Sequence, residues 1–215
     1  MDIITEKELR HRRGLPAVEP NPTLKFMDAE TQKIYSEMLS PPNQYFVIDP
    51  FANLYLLAAG GGCVVAFADA FLEAWKRVGE DRPRLVAFWD NAGPQAPSLK
   101  LESGLSLIGK YDAKQHLFGF NTEAMELAIK ADMLLHVIGH ELGHGWCHTD
   151  PASAMSNPGA VTPELLKARE DEANAKAAAW GFDMRALEHW GNANRKRFAE
   201  MTKNPAYLNE FTPVV

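Results

Sequence analysis

Apolar residues at Val64, Phe67, Phe71, Leu72 and Trp75 recur at three- and four-residue spacing, which predicts an amphipathic helix from Cys63 to Val78. The pattern then changes. Arg84-Leu-Val-Ala-Phe-Trp89 is a short apolar run of strand length, followed by a loop rich in Gly and Pro. Leu105–Tyr111 and His116–Phe120 read as two further strands joined across Asp112–Gln115, a hairpin. Asn121 or Thr122 caps the next helix, with Glu123 and Glu126 in its first turns. That helix runs on, through a kink, to His148. Thr162-Pro163-Glu164 is a cap, a proline at the first helical position and an acid, so a second helix starts there and ends where Gly181 follows Trp180. A third helix spans Met184–Met201, and from Thr202 the chain reads as a frayed polar tail.

Upstream the pattern is less regular. Pro16, Pro20, Pro22, Pro41 and Pro42 punctuate residues 1–45, an N-terminal extension with one predicted helix over Asp28–Leu39. Tyr45, Phe46, Val47, Ile48, Phe51, Leu54, Tyr55, Leu56 and Leu57 make residues 45–57 a packing segment. Gly60, Gly61 and Gly62 read as a tight turn, because no Gly-Lys-Ser/Thr follows to make a phosphate loop. The chain of 215 residues then divides into an extension (1–45), one domain (46–203) and a tail (204–215). A net charge of −6 argues against nucleic acid as partner. The two cysteines, Cys63 and Cys147, form no disulfide framework. The charged start and the lack of a long apolar span predict a soluble cytoplasmic or virion-type protein with no membrane partner.

The chemistry concentrates at His140-Glu-Leu-Gly-His144. Positions four apart share a helix face, so His140 and His144 can hold one metal ion while Glu141 stands beside it as a base. A catalytic zinc site needs a third protein ligand and an open position. One source is Arg169-Glu-Asp-Glu-Ala-Asn174, where Glu170 and Asn174 share a face, unless this acidic cluster is simply solvated. The other lies just past the motif, at His148 or Asp150. The metzincin pattern, however, requires a glycine where Cys147 stands and a metal ligand where Asp150 stands.

His140-Glu-Leu-Gly-His144 followed by Glu170-Asp-Glu-Ala-Asn-Ala-Lys-Ala resembles the gluzincin metallopeptidases, in the small form of HtpX-type and ImmA-type peptidases. The resemblance covers about residues 63–185 and includes the Gly109–Asn121 hairpin ahead of the motif helix. It implies a zinc ion held by His140, His144 and Glu170, with Glu141 as general base toward the attacking water. Asn174 stands where aspartate is commoner and would orient a ligand histidine.

Other positions are weighed against this site. His136 and His148 continue the four-residue spacing but drift about 40° per step, so His136 should pack at the rim and His148 should cap carbonyls or line the cleft. Gly139, Gly143 and Gly145 are costly in a helix and call for close approach of another backbone, which the hairpin would supply. Cys147 reads as a small buried apolar residue. Leu105–Tyr111 could accept an extended peptide as an added strand, and Tyr111 or His189 could face an oxyanion. The expectation is an α+β, minimal zincin-like fold: a small mostly antiparallel sheet, helices on one side, and the motif helix beneath an edge strand. The expected activity is zinc-dependent hydrolysis of a peptide or protein substrate. The rival is a non-catalytic component of a complex or virion that keeps a closed structural zinc site.

Overall fold

The computed structural model describes residues 3–4, 44–49, 54–58, 63–89, 99–112, 117–148 and 162–208. The predicted helix at Asp28–Leu39, the glycine triplet and Asp150 lie outside them. The fold is α+β, with a small mixed sheet. Its strands are β1 (Ile3–Ile4), β2 (Gln44–Asp49), β3 (Leu54–Ala58), β4 (Leu99–Glu102), β5 (Gly109–Asp112) and β6 (Leu117–Asn121). They are ordered β1-β2-β3-β4-β6-β5, so β5 forms one edge. The β1–β2, β2–β3 and β5–β6 pairs are antiparallel, whereas β3–β4 and β4–β6 are parallel. The predicted packing segment therefore supplies two strands that pair antiparallel, Gln44–Asp49 and Leu54–Ala58, and the Gly/Pro-rich loop contains a strand that its composition hides. Only Leu99 and Leu101 of β4 are buried, an alternation of just two apolar residues beside Lys100 and Glu102.

Helix α1 (Val64–Val78) matches its predicted stripe: Val64, Phe67, Ala68, Phe71, Ala74, Trp75 and Val78 are all buried. Phe67 meets Phe120 of β6 with ring centroids 4.9 Å apart. The run Arg84–Trp89 is a helix rather than a strand: α2 (Arg82–Trp89) follows a 3-10 turn at Gly79–Asp81. Five consecutive apolar residues, Leu85 to Trp89, are too few for periodicity to separate the two states. The turn decides, since Pro83 sits in the first helical turn and Arg82 Nε donates to the Gly79 carbonyl at 2.9 Å.

Asn121 is the cap of α3 (Thr122–Lys130), its Oδ1 accepting from the Ala124 amide at 2.9 Å. The expected kink is a full break. Asp132 takes a left-handed φ of 60°, and the amides of Asp132 and Met133 return to the carbonyls of Ile129 and Ala128. This closes α3 in a Schellman motif before α4 (Leu134–Cys147) starts in a new direction. Thr162 caps α5 (Pro163–Ala179) through the Leu165 amide, and α6 covers Met184–Thr202. Beyond α6 the chain does not fray at Thr202. A second 3-10 turn, Pro205–Leu208, buries Tyr207 to 2% exposure. Among the described residues no helix is long and apolar enough to cross a membrane.

Candidate metal centre

Helix α5 makes its most extensive contact with α4, and a glycine sets how close they come. A Cβ on Gly143 would lie 2.5 Å from the Ala173 carbonyl oxygen, a distance no side chain tolerates. At Gly143 the close neighbour is thus a helix backbone; the strand hairpin expected from sequence reaches this helix at Gly145 instead, and there with a side chain. Gly139 instead receives the Phe182 ring and Gly145 the Phe118 ring. Gly181, at φ 87°, ends α5 in a second Schellman motif, and the next residue is the Phe182 that fills Gly139.

This approach brings the two halves of the site together. His140 and His144, one turn apart on α4, turn their Nε2 atoms to within 3.0 Å of each other with rings nearly perpendicular. Glu170 Oε2 lies 3.2 Å from the first and 3.3 Å from the second. His140 Nδ1 is 2.8 Å from Asn174 Oδ1. With the amide oxygen accepting from Nδ1–H, the Nε2 lone pair of neutral His140 faces inward. Tetrahedral ligands on bonds of about 2.0–2.1 Å stand about 3.3 Å apart, so the spacing of these three donors fits one metal ion. No other His, Cys, Asp or Glu joins this group among the described residues.

Electrostatics fit the same geometry. Burial pushes Glu170 upward, but the bonds to His140 and His144 outweigh it and hold the carboxyl at about 2. His140 is pulled down by burial and raised further by its bond to Glu170 and by the charge of Glu141. Burial dominates at His144, which titrates below its ordinary value. At low pH the centre is therefore an imidazolium–carboxylate cluster. With both imidazoles neutral it presents three lone pairs to one point.

Glu141 is a different kind of acid. It is 2% exposed, and burial, reinforced by the charge of Glu170 against that of His140, raises it to about 7. Its carboxyl rests against edge strand β5, at the bare Cα of Gly109. The motif helix does lie beneath the edge strand.

The remaining candidates separate clearly. His148 Nε2 lies 3.2 Å from the Arg169 carbonyl and donates to it, and its Nδ1 faces Glu172 at 3.9 Å, so it fastens α4 to α5 and is not a fourth ligand. Asp171 and Glu172 are exposed, whereas Glu170 and Asn174 turn their polar groups toward the two histidines and Ala173 is buried between them against Gly143. Cys147 is partly exposed rather than buried, with Sγ 3.7 Å from the Glu172 carbonyl. His136 accepts from the Asp183 amide at 3.0 Å, at the rim. Tyr111 stacks on Phe118 at 4.9 Å; its buried hydroxyl has no hydrogen-bond partner among the described residues, and burial lifts it to about 12. His189 is exposed on α6 and outside the metal-capable group.

Tyr207 went unnoticed in sequence. Burial lifts its hydroxyl to about 12, with the charges of Glu141 and Glu170 adding to the effect, which puts it within electrostatic reach of the centre. Nothing local signals this, because its bond to the Ile108 amide spans 99 residues.

No protein-family model, curated protein or solved structure matches the chain.

Proposed function

We propose that the protein is a zinc-dependent metallopeptidase of gluzincin type, akin to the small HtpX-type and ImmA-type enzymes. One observation carries the reading: His140, His144 and Glu170 converge on a single point while Glu141, from the same helix, is buried beside them without joining them. Two imidazoles and a carboxylate are a donor set zinc favours, and three protein ligands leave a position open. When bound there, zinc supplies Lewis acidity, polarising the scissile carbonyl and making water a competent nucleophile near neutral pH. Glu141, buried beside the three ligands, would take the proton of the attacking water and return it to the leaving amine. Asn174 holds the His140 ring in the tautomer that offers Nε2. An extended peptide would add to β5 as a further antiparallel or parallel strand, since that edge borders Glu141.

The test pairs activity with metal content. The zinc-loaded protein should cleave members of a peptide library, and Glu141→Gln should keep the metal and lose roughly 100-fold or more in rate. Equal behaviour of the two proteins would leave a non-catalytic metal protein as the better description. The bond from His148 to the Arg169 carbonyl favours the open site, because it engages one of the two side chains that could close it.

A further inference from the structure

We propose that Gly109 is the positioning residue for Glu141, and that the C-terminal turn holds it there through Tyr207. A Cβ built on Gly109 would lie 2.4 Å from Glu141 Oε1, 2.8 Å from Cδ and 2.9 Å from Cγ. Three consecutive atoms of one buried side chain therefore rest on this Cα. A shift of the far carboxylate oxygen alone cannot relieve the clash, because Cγ is tied to the helix, so any side chain at 109 turns the carboxyl away from its present direction.

The segment that leads into this strand is fastened at Leu105, Ser106 and Ile108. The amide of Ile108 donates to the Tyr207 hydroxyl oxygen at 3.0 Å, and the Ile108 carbonyl accepts from the Asn121 amide at 2.9 Å. Asn121 Nδ2 donates to the Leu105 carbonyl at 2.8 Å, and Asn204 Nδ2 to that of Ser106 at 3.1 Å. One of these anchors belongs to the strand–helix junction that starts α3. The other belongs to the turn Pro205–Leu208 and the residue just before it. The height of the Gly109 backbone over Glu141 is thus set partly by the last described turn of the chain. This role of Gly109 rests on the peptidase reading, in which the direction of the Glu141 carboxyl governs proton transfer.

Two readouts test it. In the zinc-loaded protein, Gly109→Ala should keep its zinc affinity and lose about 100-fold in kcat, toward the level of Glu141→Gln, with a smaller change in KM. Tyr207→Phe keeps the ring, removes the acceptor of the Ile108 amide, and should lower kcat by up to about 10-fold with zinc binding intact. It carries the kinetic test should Gly109→Ala not fold. Kinetics like wild type, or loss of zinc in step with loss of rate, overturns the proposal.

Thermal melting supplies the readout that needs no catalysis. Gly109→Ala should lower Tm by roughly 3–10 °C in the wild-type background and leave it unchanged in Glu141→Ala, where the new methyl has room. Equal shifts in both backgrounds overturn the contact. A protein that shows the coupling yet cleaves no peptide retains the packing of Gly109 on Glu141 and loses the peptidase reading.

Discussion

Helix α5 is held to the rest of the domain by two acidic centres that solve the same problem in opposite ways. Asp81, in the turn before α2, accepts from Lys176 Nζ at 2.7 Å, Trp180 Nε1 at 2.8 Å and Trp146 Nε1 at 3.2 Å. The Lys176 bond leads in holding its carboxyl below the ordinary range. The same ammonium stands 3.8 Å over the Trp146 ring, with Arg84 also over that ring at 4.0 Å. Every partner of Asp81 brings its own proton, and the counter-charge is part of the chain. Glu170 meets instead two imidazoles whose inward nitrogens are lone pairs when neutral. The first centre is complete as built and fastens α5. The second gathers acceptors, and protons or a cation must join them.

The comparison breaks most sharply at Glu170. Glu170→Ala should weaken zinc binding by more than about 100-fold, beyond what loss of an outer partner costs, as read by titration against a competing chelator. Asp81→Ala, in contrast, should leave zinc affinity nearly intact and reduce folding stability by about 1–2 kcal/mol, a range kept low because the pair is partly exposed. Denaturant unfolding measures it. If that variant loses zinc as Glu170→Ala does, the two centres are not separable. Asn174→Ala should fall between them in zinc affinity, roughly 10-fold to 100-fold weaker, through a freed His140 ring.

Acidity sharpens the contrast in the metal-free protein. Glu141 titrates near 7 when folded against an ordinary 4.5, so the native state binds the extra proton between these values. Its contribution to stability is full below about 4.5 and is lost as pH rises through about 7. Glu141→Gln should flatten that decline in Tm against pH, whereas Asp81→Asn should not. The smallest effect belongs to the α3–α4 break: Asp132→Gly relieves a left-handed aspartate and should raise stability by about 0.5 kcal/mol. A loss of stability there would show that the Asp132 side chain contributes more than its backbone strain costs.

Legibility followed the range of the interaction. Caps are local chemistry, so Thr162 marks the start of α5, and Asn121 or Thr122 that of α3, with the structure choosing Asn121. The stripe of α1 and the span of α6 were equally readable from periodicity. Helical spacing makes His140 and His144 legible as a pair and leaves Glu170, His148 and Asp150 open as the third member; the resemblance singles out Glu170, and the packing of Gly143 on Ala173 brings its face to theirs. The apolar run of α2 and the two-residue alternation of β4 carry too little pattern to assign. Tyr111 and His189 are named for an oxyanion by residue type alone; Tyr111 is partly buried against Phe118 and His189 is exposed. Tyr207 and Gly109 matter through contacts that close across long stretches of chain, and composition holds no trace of them.

The two kinds of contact also differ in when they can form. The His140–Asn174 bond closes a separation of 34 residues, and the Tyr207–Ile108 bond one of 99. Shorter closures cost less chain entropy and tend to form earlier. The α4–α5 pair should therefore acquire metal affinity during refolding before the edge strand locks over Glu141. Stopped-flow refolding with a metal-sensitive dye would then report zinc uptake ahead of the proposed peptidase activity. Simultaneous appearance of both would mean that the centre and the edge strand over Glu141 assemble as one cooperative unit.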